Sequence, residues 1–163
     1  MTLDDDVARL GRTRPFDLLP REAVQLIAFS CEKRRLRAGE ALFFNGEAAD
    51  SAYFVHSGAI TLLEDKTEPK GERRVGPGAL IGESALYAAT TRRVSARAAE
   101  DAVVMWIPRE TFRRVLSEFP AGAGKIRAAL AARMRRLVDG LEATRITTAS
   151  SAARASTCRA IGA

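Results

Sequence analysis

Apolar side chains recur at helical spacing near the start of the chain. After Pro20, intervals of three, one and three residues separate the apolar positions Val24, Ile27, Ala28 and Cys31. This spacing lies on one face of a helix, and proline is tolerated at the first helical position. The pattern predicts a helix that begins at Pro20 and carries Cys31 as a small buried hydrophobe rather than a reactive thiol.

Short apolar runs with turn residues between them follow, from about residue 35 to residue 107. Glycine or polar clusters separate these runs, which cover 41–44, 52–55, 59–63, 94–98 and 102–107. Short strands with regularly spaced turns are typical of a β-sandwich or a β-barrel. One segment interrupts the pattern: 81–87 is turn-like and then briefly helical, and a polar loop follows at 90–93.

Two helices are predicted after residue 107. The first begins at Pro108, and its apolar face carries Phe112, Val115, Leu116 and Phe119. The second has apolar residues at intervals of four, four, three and four: Ile126, Leu130, Met134, Leu137 and Leu141. The last four form a heptad-like seam between basic positions. Such a seam suits either packing on the β core or pairing with the same helix of a second copy, and the sequence leaves both open.

One domain is expected from the length of 163 residues. We predict an N-terminal extension over 1–14, a domain over 15–141 and a flexible basic tail over 142–163, where apolar periodicity stops. Within the domain, the β part covers about 35–107 and the C-terminal helices cover about 108–141.

Charge is distributed unevenly along the chain. Residues 1–120 hold 18 basic and 18 acidic residues, whereas residues 121–163 hold eight basic and two acidic residues and account for the whole net charge of +6. A basic segment suits nucleic acid as a partner. No aromatic residue follows Phe119, so this segment cannot bind by stacking on bases.

Few residues are suited to metal or redox chemistry. The chain has two cysteines, Cys31 and Cys158, and one histidine, His56. This set excludes a disulfide framework or an iron–sulfur cluster within one chain and argues against a zinc enzyme; we expect His56 to be structural.

The sequence also bears on cellular setting and activity. The acidic start argues against a signal peptide, and the lack of a long apolar run argues against a membrane-spanning helix. We expect a reducing, cytoplasmic setting and, because no nucleophile–base pair is visible, no enzymatic activity.

The interruption of the β pattern carries the candidate chemistry. Gly82 permits an unusual backbone conformation and close approach of a ligand, and N–H groups at the start of a short helix at Glu83–Ser84 suit an anion. Arg92, on the loop that follows, matches phosphate oxygens in a bidentate pair. Glu83 suits hydroxyl groups beside a phosphate, as in the ribose phosphate of a nucleotide. The alternative is a surface Glu83–Arg92 ion pair that contributes about 0–1 kcal/mol, and spacing alone favours neither.

The run 81–87 followed by 91–98 resembles the phosphate-binding cassette of the cyclic nucleotide-binding domain family. Upstream segments 36–40, 44–50 and 53–60 resemble the same family, and the resemblance covers roughly residues 15–138. Its specificity comes from the ordered glycines Gly39, Gly46, Gly58, Gly78 and Gly82. The resemblance implies a mainly β fold, an eight-stranded jelly-roll β-roll, flanked by an N-terminal helix and two C-terminal helices.

The resemblance also implies a set of ligand-binding residues: Ile81, Gly82, Glu83, Ser84, Ala85, Arg92, Arg93 and Val94. Arg92 would bind the cyclic phosphate, and Glu83 would accept a hydrogen bond from the ribose 2′-hydroxyl. Gly82, Ser84 and Ala85 would present backbone groups to the ligand. Arg93 would add a second phosphate contact, alter the purine preference or point to solvent. The implied ligand is cyclic AMP or cyclic GMP, with no metal.

By this resemblance the chain is a non-enzymatic sensor that passes occupancy to a partner protein by moving the helix 126–141, with a homodimer through its apolar seam. Two alternatives stay open. One is a degenerate β-roll that serves only protein interaction, and the other is a transcription-associated factor that contacts nucleic acid through the basic C-terminal segment. Direct DNA binding by a helix-turn-helix is not expected, because 142–163 lacks that periodicity.

Overall fold

The computed structural model describes residues 2–64 and 71–158, with side chains as far as Leu141. The chain divides into two compact units, Met1–Ala123 and Gly124–Ala163. Both large sheets and the candidate site lie in the first unit. Among the described residues, no helix combines the length and the apolar character needed to cross a bilayer.

Two helices precede the sheets. α1 covers Leu3–Leu10, a single 3₁₀ turn covers Phe16–Leu18, and α2 covers Arg21–Ser30. α1 buries Val7 and Leu10, so the segment 1–14, expected to be an extension of the domain, packs as part of it.

The predicted helix after Pro20 is confirmed by α2, which has Pro20 as its N-cap and buries residues 23, 24, 27 and 28. Cys31 is placed differently from the prediction, because it follows α2 in extended backbone instead of lying on the helix face. Burial, with a smaller contribution from the charge of Asp6, raises the pKa of its thiol to about 12. This is the behaviour of the inert, packed cysteine that the sequence predicts.

Ten strands can be described. They are β1 (Glu32–Leu36), β2 (Ala41–Phe43), β3 (Ala48–Ala49), β4 (Ser51–Ser57), β5 (Ile60–Leu63), β6 (Glu72–Val75), β7 (Leu80–Ile81), β8 (Thr90–Thr91), β9 (Ser95–Ala98) and β10 (Ala102–Pro108). One sheet has the order β1-β10-β4-β7, and the second has the order β2-β9-β5-β6. β3 and β8 form a separate two-stranded ribbon. The pairings are antiparallel, and the strands form the β-roll that the resemblance implies.

The apolar core of the roll takes side chains from both four-stranded sheets. Val55 of β4 and Val104 of β10 meet Ile60 of β5 and Ala96 of β9 in one buried cluster. Glycine is required at one neighbouring turn, where Gly58 has a φ of 75° and a Cβ would collide with the backbone of Asp101 and Ala102. Glycine thus allows the β4–β5 turn to lie close to the start of β10.

Strands β1 and β6 were not predicted from the sequence. Their sequences, EKRRL and ERRV, are mostly charged and mostly exposed, so they lack the alternation of a half-buried strand. Each lies at the edge of its sheet, where charged side chains have access to water. Only Leu36 at the end of β1 is buried.

Three helices complete the description. The brief helix predicted inside the β pattern is confirmed as α3 (Ser84–Tyr87). α4 covers Arg109–Glu118, has Pro108 as its N-cap and buries Phe112 and Val115, as predicted.

The long helix α5 covers Pro120–Cys158, so the prediction of a helix that ends near Leu141 is wrong. Residues 142–158 contain several alanines and no proline or glycine, so no strong helix breaker stands in this stretch. Their side chains, and residues 159–163 of the predicted tail, lie outside the described residues. Along the predicted seam, Ile126 is buried and Leu130 is half-buried, whereas Met134, Leu137 and Leu141 are exposed.

Candidate functional site

The backbone of Arg92 is held by the turn that precedes β3. Arg92 follows β8, and its N–H donates to the carbonyl oxygen of Glu47 at 2.8 Å. The N–H of Gly46 donates to the carbonyl oxygen of Arg92, also at 2.8 Å. These two bonds continue the β3–β8 ribbon by one residue and fix the direction in which the Arg92 side chain leaves the loop.

The side chain of Arg92 is buried beneath this loop, with 7% of the residue exposed. Its Nη2 donates to the carbonyl oxygen of Ser51 at 2.8 Å and contacts Ser51 Oγ at 3.3 Å. Its guanidinium carbon lies 4.3 Å from the ring centre of Phe43 and 5.4 Å from that of Tyr53. The two rings are themselves stacked, with centres 5.8 Å apart, and form an aromatic floor that favours a cation.

The other terminal nitrogen of Arg92, Nη1, is buried and has no hydrogen-bond partner among the described residues. None of the ion pairs in this part of the chain includes Arg92. Desolvation lowers the pKa of the guanidinium, while Tyr53, Asp50 and Glu47 act in the opposite direction. A buried donor and a buried charge without a partner are costly, so this position is suited to receive an anion.

Gly82 lies directly against this unpaired nitrogen. It follows β7, has a φ of 75°, and a Cβ at this position would collide with Nη1 of Arg92. Both the backbone conformation and the close contact therefore require glycine. The structure thus brings two of the predicted site residues, Gly82 and Arg92, together.

Glu83 and α3 follow immediately. Glu83 is the N-cap residue of α3, and its Oε1 accepts a hydrogen bond from the Tyr87 hydroxyl at 2.8 Å. The N–H of Ala85 donates to the carbonyl oxygen of Gly82 at 3.0 Å, and that of Leu86 donates to the carbonyl oxygen of Glu83 at 3.0 Å. These two N–H groups are thus bonded within the turn itself. The alternative of a surface Glu83–Arg92 ion pair is wrong, because Arg92 is buried.

The remaining predicted residues occupy different environments. Ile81 is buried in the core of the roll, and Val94 packs against the same core. Ala85 is fully buried. Ser84 and Arg93 are exposed, so the described side chain of Arg93 lies at the surface.

Sequence analysis did not single out the residues that support Arg92. Phe43 and Tyr53 stand in apolar strands and give no sign that distinguishes them from ordinary core residues. Ser51 acts mainly through its backbone carbonyl, which any residue would supply. Tyr87, which supports Glu83 and not Arg92, has a usable pattern, since it stands four residues after Glu83, the spacing of neighbours on a helix.

A second buried charge lies away from Arg92, at Asp6 of α1. Asp6 Oδ2 is 2.6 Å from Nζ of Lys33, and Oδ1 is 3.0 Å from Nε2 of His56. Asp6 and His56 are each 4% exposed. The carbonyl oxygen of His56 accepts a hydrogen bond from Arg9 at 3.0 Å. In the described part of the chain, no cluster of three histidine, cysteine or acidic side chains suits a metal ion, and this group packs α1 against the roll.

The sequence of this domain matches a known family. The family described as "Cyclic nucleotide-binding domain" matches residues 33–119, a range that includes Phe43, Ser51, Gly82 and Arg92. Among solved structures, the chain is similar to a cyclic nucleotide-binding-like protein from Brucella abortus. The TM-score is 0.63 and the identity is 43%, over 70% of this chain and 99% of that chain.

Two curated relatives differ greatly in length. The Cyclic AMP receptor protein of Thermus thermophilus is 32% identical over 124 residues, which are 74% of this chain and 56% of that protein. Lysophospholipase NTE1 of Chaetomium globosum is 31% identical over 125 residues, which are 76% of this chain and 8% of that protein. Of these two relatives, the chain therefore spans a small part of the longer one and little more than half of the shorter one.

Proposed function

The chain belongs to the cyclic nucleotide-binding domain family, and on this premise we propose that it is a non-enzymatic sensor of a cyclic nucleotide. The preferred ligand in this proposal is cyclic AMP, and the second candidate is cyclic GMP. The names of two relatives, a cyclic AMP receptor protein and a cAMP-dependent protein kinase regulatory subunit, support this order. The observation that carries the proposal is the buried Arg92 guanidinium, whose Nη1 has no partner in the described residues.

A cyclic nucleotide supplies what this site lacks. Its phosphate is a monoanion that neutralises Arg92, and a charge-assisted bond to Nη1 satisfies the orphaned donor. Gly82 lets the phosphate approach the backbone beside Nη1, and Glu83 accepts a hydrogen bond from the ribose 2′-hydroxyl. Ser51 and the Phe43–Tyr53 pair hold the guanidinium in place before the ligand arrives.

Calorimetric titration with cyclic AMP and cyclic GMP tests the proposal. We expect binding at micromolar concentration or tighter, and we expect Arg92→Ala to weaken it by at least about 2 kcal/mol, or about thirtyfold, the scale for breaking a buried charged pair. Arg97→Ala is the matched control. It removes the same charge from the next strand, where Arg97 is half-exposed beside Glu72, and it should leave affinity unchanged.

Absence of binding to either nucleotide would overturn the proposal and would favour a β-roll that serves only protein interaction. Equal affinity in wild type and Arg92→Ala would place the ligand elsewhere. Arg93→Ala sharpens the outcome: an equal loss for both nucleotides would indicate a second phosphate contact, and a loss for one of them would indicate a contact with the base.

We also propose that α5 transmits occupancy, by changing position on ligand binding and by pairing with a second copy. Support comes from the exposed apolar residues Met134, Leu137, Val138 and Leu141, which form one heptad-like stripe between exposed arginines. Gly122 and Gly124 stand in the first turns of α5, where glycine lowers the cost of a change in backbone angles.

The proposed setting is the reducing cytoplasm. It is supported by Cys31, which is a free thiol.

Two measurements test the role of α5. Light scattering should give a dimer for wild type and a monomer for Leu137→Glu, because a charge in the stripe is desolvated on pairing. Hydrogen exchange should show a change in α5 when cyclic AMP is added to wild type and none with Arg92→Ala. A wild-type monomer would remove the pairing proposal, and identical exchange with and without ligand would remove the repositioning proposal.

A further inference from the structure

Tyr87 joins the candidate sugar-binding carboxylate to the helical part of the domain. Its hydroxyl donates to Glu83 Oε1 at 2.8 Å. The two residues bracket α3, with Glu83 as its N-cap and Tyr87 as its last residue. The bond therefore closes over a single helical turn, and both side chains are half-buried.

The position of the Tyr87 ring is fixed by packing. It meets the ring of Phe112 on α4 edge-on, with ring centres 6.0 Å apart and an interplanar angle of 71°. Phe112 is fully buried and makes a second edge-on contact with Phe16, also at 6.0 Å. A side chain held by such contacts keeps its hydroxyl in one place, at little entropic cost when a ligand binds.

A glutamate without such a partner has three rotatable bonds and would have to be ordered by the ligand. With Tyr87 donating to Oε1, the carboxylate is oriented before a ligand arrives, and an ionised carboxylate can accept several hydrogen bonds, including one from a hydroxyl group. Hydrogen bonds to an ionised carboxylate are among the stronger ones in proteins. Orientation by Tyr87 therefore matters most for a ligand whose own hydroxyl must meet this carboxylate.

We propose that Tyr87 is a positioning residue that sets the selectivity of this site for ribose over deoxyribose nucleotides. This inference rests on the proposed function. Tyr87 does not touch the ligand; it holds Glu83 where the 2′-hydroxyl donates. Its loss therefore weakens binding of the ribonucleotide and leaves binding of a ligand without that hydroxyl unchanged.

The experiment compares affinities for cyclic AMP and its 2′-deoxy derivative, measured by calorimetry on the full chain. Tyr87→Phe keeps the ring contact with Phe112 and removes only the hydroxyl. We expect the preference of wild type for the ribonucleotide to fall about fivefold in Tyr87→Phe, through weaker binding of cyclic AMP alone. Glu83→Gln should lower the preference further, and adding Tyr87→Phe to Glu83→Gln should change it little, because the two residues act through one bond.

Tyr53→Phe is the matched control, because it makes the same chemical change in the ring beside Arg92. It should shift the affinity of both nucleotides equally and leave their ratio unchanged. An unchanged ratio in Tyr87→Phe, even with a lower melting temperature, would overturn the positioning role and leave only a structural one. Failure of wild type to bind either nucleotide would overturn the proposed function itself, so the two failures are distinguishable.

Discussion

Asp6 and Arg92 are both buried charges in the first unit, but they differ in how they are neutralised. Asp6 Oδ2 lies 2.6 Å from Nζ of Lys33, so its counter-charge comes from the chain itself, although Oδ1 makes no hydrogen bond to His56 Nε2 at 3.0 Å. Arg92 has a carbonyl oxygen, a hydroxyl and two aromatic rings around it, but no carboxylate among its described ion-pair partners. The described part of the chain orients Arg92 without an ion pair, and Asp50 and Glu47 act on its charge only from beyond ion-pair distance.

This difference separates a structural charge from a binding charge. A pair closed inside the fold contributes to stability, and breaking it leaves its partner without compensation. A charge oriented by neutral groups contributes little to the folded state and binds an external anion more strongly, because no internal carboxylate has to be displaced. The exposed fractions of Asp6 and Arg92 are similar, at 4% and 7%, so burial alone does not distinguish the structural charge from the binding charge.

The largest expected effect on folding follows from Asp6. Asp6→Ala should lower the free energy of unfolding by about 2 kcal/mol, less than the 3–5 kcal/mol of a fully buried pair, because Lys33 is partly exposed and can turn to water. Arg92→Ala should change it by about 1 kcal/mol or less. Urea titrations measure both free energies. Asp4→Ala is the control, because it removes from the same helix as Asp6 an exposed carboxylate, which is paired with Arg21 of α2. It should have almost no effect on stability.

Ligand affinity should show the opposite order, with Asp6→Ala close to wild type and Arg92→Ala severely weakened. A large loss of stability in Arg92→Ala, or a loss of affinity in folded Asp6→Ala, would erase the distinction between the two charges.

A smaller effect is expected from adding one methyl group beside Arg92. Gly82→Ala and Gly39→Ala both place a side chain at positive φ, 75° and 85°, and each should cost about 1 kcal/mol of stability. Only at Gly82 does the new Cβ meet Nη1 of Arg92, since nothing lies within 4 Å of a Cβ at Gly39. Calorimetry should therefore show at least a tenfold loss of affinity in Gly82→Ala alone. Equal affinities in the two variants would mean that the guanidinium can move without consequence.

The smallest effect at neutral pH belongs to Cys31, next to the Asp6 group. Its pKa is raised to about 12 from a usual value near 9, so the folded state keeps the proton that the unfolded state loses first. The contribution of the protonated Cys31 thiol to the free energy of unfolding is therefore complete below about pH 9 and is lost as pH rises toward 12. Urea titrations of wild type and Cys31→Ala from pH 8 to 11 should give a constant difference up to about pH 9 and a shrinking one above it. A difference that stays constant to pH 11 would contradict the burial of this thiol.

The sequence predicted what depends on local pattern and missed what depends on neighbours. α2, β4, β10 and α4 have clear apolar periodicity, and each was located within a few residues. β1 and β6 were missed because an edge strand needs little apolar surface. The end of α5 was misplaced because residues 142–158 lack an apolar face but also lack a helix breaker.

At the site, local sequence singled out Gly82, Glu83 and Arg92 as candidates, and the resemblance to the family gave them their roles. It could not show that Arg92 lies on Phe43 and Tyr53, since that contact joins β2 and β4 to a loop far along the chain. It also could not show that Nη1 lacks a partner among the described residues, because a missing contact is a property of the folded chain only.

The charged strand β1 has a further consequence for the behaviour of the protein at high concentration. β1 pairs with β10 on one side, and its other side is the edge of the sheet. An apolar strand with an unpaired edge is a template on which strands of other molecules can add and start aggregation. In β1 the positions are occupied by Glu32, Lys33, Arg34 and Arg35, whose charged side chains would have to lose water before another strand could pair there. The charges that conceal this strand in the sequence thus oppose the addition of strands from other molecules at this edge of the sheet.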